Sequence, residues 1–160
     1  KFIKYTGELG IYFPLVKGLV GFLHTEGGYV TEHSGGLLPD YSKFYMGGIH
    51  SLRGFDWREV STTDESGDEI GGNKYVQLNA EIHIPLLKDQ GILGVLFYDT
   101  GNVFGEEESI DIGDLRQTAG YGIRWNSPVG PIRLERGHII DPQGDEDSGG
   151  KWEFAMEASF

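Results

Sequence analysis

Period-two alternation of apolar and polar residues, repeated along most of the chain, constrains this sequence more than any other feature. Over 75–85 the odd positions include Tyr75, Gln77, Asn79, Glu81 and His83, and the even ones are Val76, Leu78, Ala80, Ile82 and Ile84. Over 151–160 the even positions are Trp152, Phe154, Met156, Ala158 and Phe160, with Lys151, Glu153 and Glu157 between them. A period of two sends one set of side chains to each face of a sheet. Seven stretches read as strands: 2–14, 18–30, 74–86, 91–104, 116–127, 130–140 and 151–160. Several exceed the about five or six residues usual in soluble sheets and suit the about 9–11 residues of a tilted membrane strand. The expected fold class is therefore all-β, an antiparallel meander of about seven strands paired in sequence order.

The connections sharpen this. Short turns lie at Val16-Lys17-Gly18, Lys88-Asp89-Gln90-Gly91 and Asn126-Ser127-Pro128, whereas long polar loops occupy 31–73, 105–115 and 141–150. Short turns on one side and long loops on the other are the asymmetry of an outer-membrane barrel, whose apolar face meets lipid and whose polar face lines the lumen. Alternation by itself fits a soluble sandwich as well. No apolar run approaches the ~18 residues of a spanning helix; the longest, 92–97, is broken by Gly94. Lys1 opens directly on strand-like alternation, without a preceding signal peptide, and reads as an arbitrary boundary. Cysteine is absent, which excludes a disulfide or a thiolate metal site.

The net charge of −12 is concentrated, since the three long loops hold 17 of the 25 acidic residues. That balance argues against a nucleic-acid partner, which needs a basic footprint. Solvated loops account for the acids, and the segment 141–150 lacks the ordered ligand spacing of a calcium loop. The connection 31–73 is 43 residues long. A loop of that length belongs in a compact domain only if it packs for a purpose. Met46, Ile49, Leu52, Phe55 and Trp57 give it apolar side chains to bury.

Within that connection, 44–57 reads Phe-Tyr-Met-Gly-Gly-Ile-His-Ser-Leu-Arg-Gly-Phe-Asp-Trp. Gly47, Gly48, Leu52, Arg53, Gly54 and Phe55 resemble the GG…(V/L)RGF loop of the BamA-like outer-membrane assembly factors, the bacterial surface antigen superfamily. Further along, Ala80-Glu81-Ile82-His83-Ile84-Pro85 is similar to the strand after that loop, and Leu96-Phe97-Tyr98-Asp99-Thr100-Gly101 resembles the F-x-D-x-G strand. Asn126-Ser127-Pro128-Val129-Gly130-Pro131 is similar to the SP-x-GP turn, and Phe160 to the terminal aromatic of the outer-membrane targeting signal. The order and spacing carry the resemblance over essentially the whole chain. It departs from the family at Leu52, where many members have Val, and is loose over Arg136-Gly137-His138.

The resemblance implies the last seven strands of a sixteen-stranded transmembrane barrel, with 31–73 folded back into the lumen and with upstream strands and periplasmic domains outside this sequence. It implies a loop latch of Arg53, Gly54, Phe55, Glu81, Phe97 and Asp99, and a targeting and seam role for Phe160. The residue chemistry is compatible: Phe97 and Asp99 share a strand face, and a guanidinium there can fork onto carboxylates and stack on a ring. The implied function is assembly and insertion of outer-membrane β-barrel proteins. A two-partner secretion transporter of the same superfamily and a passive porin are the alternatives, the latch motif disfavouring the porin.

The implied partners are outer-membrane lipid, unfolded outer-membrane protein clients and assembly-complex lipoproteins, without nucleotide, metal or other cofactor. The open edges at 2–14 and 151–160 invite association with a second copy. No catalytic residue is expected. His24, His33, His50, His83 and His138 form no metal-protease spacing, and Ser51 beside His50 lacks a third orienting group. The Ser/His pair of an outer-membrane phospholipase is not identifiable.

Overall fold

A computed structural model describes residues 1–33, 35–36, 38–144 and 149–157. They form one antiparallel sheet whose seven strands pair strictly in chain order. The strands are β1 (Phe2–Pro14), β2 (Val20–Glu32), β3 (Lys74–Leu87), β4 (Ile92–Phe104), β5 (Arg116–Ser127), β6 (Gly130–Ile139) and β7 (Lys151–Met156). The second strand starts at Val20, not at residue 18, because Val16–Gly18 forms a single 3-10 turn with Lys17 at φ 58°. Phe160 lies outside the described residues.

The ladder registers fix which side chains share a face. Val76, Leu78, Ala80, Ile82 and Ile84 of β3 lie beside Leu96 and Tyr98 of β4, and those beside Tyr121, Ile123 and Trp125 of β5. This outer face continues through Ile132 and Leu134 to Trp152, Phe154 and Met156. Most of its large apolar side chains are exposed, such as Leu96, Ile123 and Phe154. Among the described strand residues, the basic side chains on this face are Lys74, Arg136 and His138, all near the long-loop end. A wide apolar face without carboxylates is what a sheet bordered by hydrocarbon requires.

The opposite, inner face is polar, and the described residues of the connection 33–73 cover it over β3 to β6, leaving β1 exposed. The connection is itself folded: Phe44 and Gly72 exchange backbone hydrogen bonds at 2.8 Å, as do Met46 and Val60 at 2.8–2.9 Å. The protein's core lies between this loop and the sheet. Phe44, Met46, Leu52, Phe55 and Val60 from the loop pack with Val30, Tyr75, Val103 and Ile139 from the strands. Trp57 does not join them. It is 78% exposed, beneath the Arg58 guanidinium.

Candidate functional site

The loop crosses the inner face at Ser51–Phe55, and the strands prepare the surface it meets. Alternation on β3 puts Gln77, Asn79, Glu81 and His83 inward, and on β4 it does the same for Phe97 and Asp99. On β5 the inward positions include Gly120 and Gly122. A Cβ at Gly120 would lie 2.6 Å from the Phe97 ring, and one at Gly122 would lie 2.5 Å from the Glu135 side chain. The two glycines therefore leave the space that this ring and this carboxylate fill. Beyond them stand Arg124 of β5 and Arg133 and Glu135 of β6.

Arg53 enters this surface almost completely buried, at 2% exposure. Its Nε and Nη2 donate to the two Asp99 oxygens at 2.8 and 2.7 Å, the planar fork of an arginine–carboxylate pair. Its backbone N–H donates to Asp99 Oδ2 at 3.1 Å. Nη1 donates to Glu81 Oε2 at 2.5 Å and to Glu135 Oε1 at 3.3 Å. The guanidinium carbon sits 3.8 Å from the centroid of Phe97, close enough for a cation–π contact. Burial opposes the charge, but the Asp99 hydrogen bonds and the charges of Asp99, Glu81 and Glu135 outweigh it. The Arg53 pKa is held above its ordinary value.

The structure thus brings Arg53, Glu81, Phe97 and Asp99 to one point. The remaining two residues of the motif act beside it. Gly54 adopts φ 105°, and its N–H donates to Glu153 Oε1 of β7 at 3.0 Å. Phe55 is fully buried, with the Arg116 guanidinium 4.8 Å from its ring. At this place the loop backbone rests directly on β6. A Cβ at Gly137 would fall 2.5 Å from the Arg53 carbonyl carbon, so a bulkier residue has no room there.

Sequence reasoning missed the second half of the cluster. Arg124 Nη2 donates to Glu81 at 2.6 Å and to Glu135 at 2.7 Å, and Arg133 Nη2 donates to the other oxygen of Glu135 at 2.7 Å. Arg133 Nη1 reaches Glu157 at 2.9 Å. Glu135 is 1% exposed and Asp99 0%. The signal was present, since Arg133 and Glu135 alternate with Ile132 and Leu134. Asn79 adds a further tie: its Nδ2 donates to the Ser51 carbonyl and to Asp99 Oδ1, both at 2.8 Å. Near the final strand, Lys151 pairs with Asp56 of the loop. The arrangement is a buried lattice of charge-assisted hydrogen bonds that fixes one loop to β3, β4 and β6, with polar ties to β7.

Comparison with known proteins agrees with this architecture. The Omp85 superfamily domain matches residues 1–160. The chain is 36% identical over 162 residues to the outer membrane protein assembly factor BamA of Nitratidesulfovibrio vulgaris, a match spanning 99% of this chain and 20% of that protein. It is 27% identical to the protein of the same name from Neisseria meningitidis, over 93% of this chain and 23% of that one. The chain therefore spans about a fifth of the length of these relatives. The crystal structure of BamA from Haemophilus ducreyi lacking POTRA domains 1–3 superposes with a TM-score of 0.77 at 24% identity, covering 96% of this chain and 34% of that one. With the family's domain matched from the first residue to the last, this chain belongs to the Omp85 superfamily.

Proposed function

We propose that the complete protein assembles and inserts β-barrel proteins in the outer membrane, and that this chain is the part of its barrel in which loop 33–73 is latched inside the lumen. The observation that carries the reading is the buried fork of Arg53 on Asp99, closed by Glu81 and the face of Phe97. The relatives named as assembly factors support the activity. The outer apolar face supports a lipid boundary, and the polar inner face supports a lumen.

On this reading the clients are unfolded outer-membrane proteins. The antiparallel edge at the end of the sheet supplies the backbone donors and acceptors to which a client strand pairs. Lipoproteins of an assembly complex are the further partners proposed. Gly54, Phe55, Glu81, Phe97 and Asp99 serve to hold Arg53, and hence the loop, in one place.

Limited proteolysis of the complete protein in detergent tests the latch. Arg53→Ala removes one partner of a buried ionic cluster, a change worth about 3–5 kcal/mol. Cleavage within 33–73 is expected to rise sharply in Arg53→Ala and to rise less in Arg53→Lys, because an ammonium cannot fork onto Asp99. Insertion of a reporter barrel into lipid vesicles is expected to fall in the same order. Equal cleavage of wild type and Arg53→Ala would show that Arg53 holds nothing.

A further inference from the structure

Away from Arg53, β1 and β2 gather a second set of groups on the inner face. Glu8 lies directly across the ladder from Glu26. Like charges in that relation destabilise a sheet pair unless a cation lies between them. His24 is the next inward residue along β2 from Glu26. One ligand atom from each of Glu8, His24 and Glu26 lies within 4.8 Å of the others.

The surroundings decide the protonation of the imidazole. Asn79 Nδ2 donates to the Ser51 carbonyl and to the Asp99 carboxylate, groups that can only accept, so the orientation of the amide is fixed. Its Oδ1 therefore faces His24 Nδ1, 2.9 Å away, and Nδ1 must carry the hydrogen. That leaves Nε2 directed at Glu8 Oε2, 3.1 Å away. A bare nitrogen lone pair aimed at a carboxylate, with a second carboxylate alongside, is repulsive. Either a proton on Nε2 or a cation held between the three groups relieves that repulsion. Glu26 is oriented in turn by the hydroxyl of Tyr75, which donates to its Oε1.

We propose that Glu8, His24 and Glu26 form a binding site for a divalent transition-metal ion of the zinc type. One imidazole nitrogen and two carboxylate oxygens are a donor set for such an ion, with a coordination position left open for water. A histidine whose second N–H is held by a side-chain carbonyl has the fixed tautomer and ring orientation that metal ligation uses. Through Asn79 the site shares a hydrogen-bonded partner, Asp99, with the loop latch. It does not depend on the proposed assembly function. The competing occupant is a proton on Nε2, which would make His24 an imidazolium paired with Glu8.

Calorimetric titration of zinc into the complete, chelator-stripped protein in detergent separates these occupants. Wild type and His138→Gln are expected to show one saturable site. His24→Gln and the pair Glu8→Gln with Glu26→Gln are expected to weaken it about tenfold or more. Circular dichroism checks that each variant keeps its strands. The Glu8 side chain is 71% exposed, so Glu8→Gln alone carries the test should the others misfold. Identical zinc binding by wild type, His24→Gln and Glu8→Gln, or no saturable binding by wild type, overturns the proposal and assigns the position to a proton.

Discussion

Glu135 sits where three arginines converge. Arg124 and Arg133 donate to its two oxygens, and Arg53 approaches the first at 3.3 Å. Buried charges are costly to desolvate, and such a cluster is tolerable only while every member keeps its partners. Arg53, Arg124 and Arg133 face Glu81, Asp99 and Glu135, and Glu157 adds a fourth carboxylate on Arg133. Glu135→Gln removes the one carboxylate that all three arginines share, at a fully enclosed position. Its urea unfolding midpoint in detergent is expected to drop by the equivalent of about 3–5 kcal/mol. Glu107→Gln, in the acidic connection 105–115, is expected to stay within about 0.5 kcal/mol of wild type.

At the scale of elements, the decisive contact is the loop lying on β6. A methyl group at Gly137 would meet the Arg53 carbonyl carbon at 2.5 Å. Gly137→Ala is therefore expected to cost about 1–3 kcal/mol through overpacking, and to expose the loop to protease although every charged residue remains. Gly7→Ala, where an added Cβ meets nothing within 4 Å, is the comparison that should leave both readouts unchanged. This contact also marks the limit of what the sequence disclosed. Alternation placed all seven strands, because period two is a local property. The motif singled out Arg53, and strand parity put Glu81, Phe97 and Asp99 on candidate faces. The meeting of Arg53 with Gly137 depends on how a 43-residue connection returns across several strands. No local period encodes that path. Trp57 was misjudged for the same reason: its apolar ring suggested burial, but the path of the loop leaves it exposed.

For the whole molecule, the two faces of one sheet serve two solvents. The inner face spends its polar groups on the loop. The outer face shows Ile, Leu, Tyr and Trp without a carboxylate among the described strand residues. Position in depth should then govern the effect of a new charge. Ile82→Arg, on the apolar band, is expected to destabilise the barrel in lipid by about 2–4 kcal/mol, against about 0–1 kcal/mol for Gln117→Arg near the long loops. Unfolding equilibria in vesicles measure both, and equal costs would mean that the outer face does not border hydrocarbon.

The charged cluster draws one member from the loop, one from β3, one from β4, one from β5 and two from β6, and Arg53 is 82 positions from Glu135. Contacts across such intervals form late, after the chain between them has been ordered. Until then each member is stranded with only part of its complement. The lattice therefore acts as a clock as well as a fastener: it rewards nothing until the last participant arrives, and leaves a half-assembled sheet no comfortable place to pause.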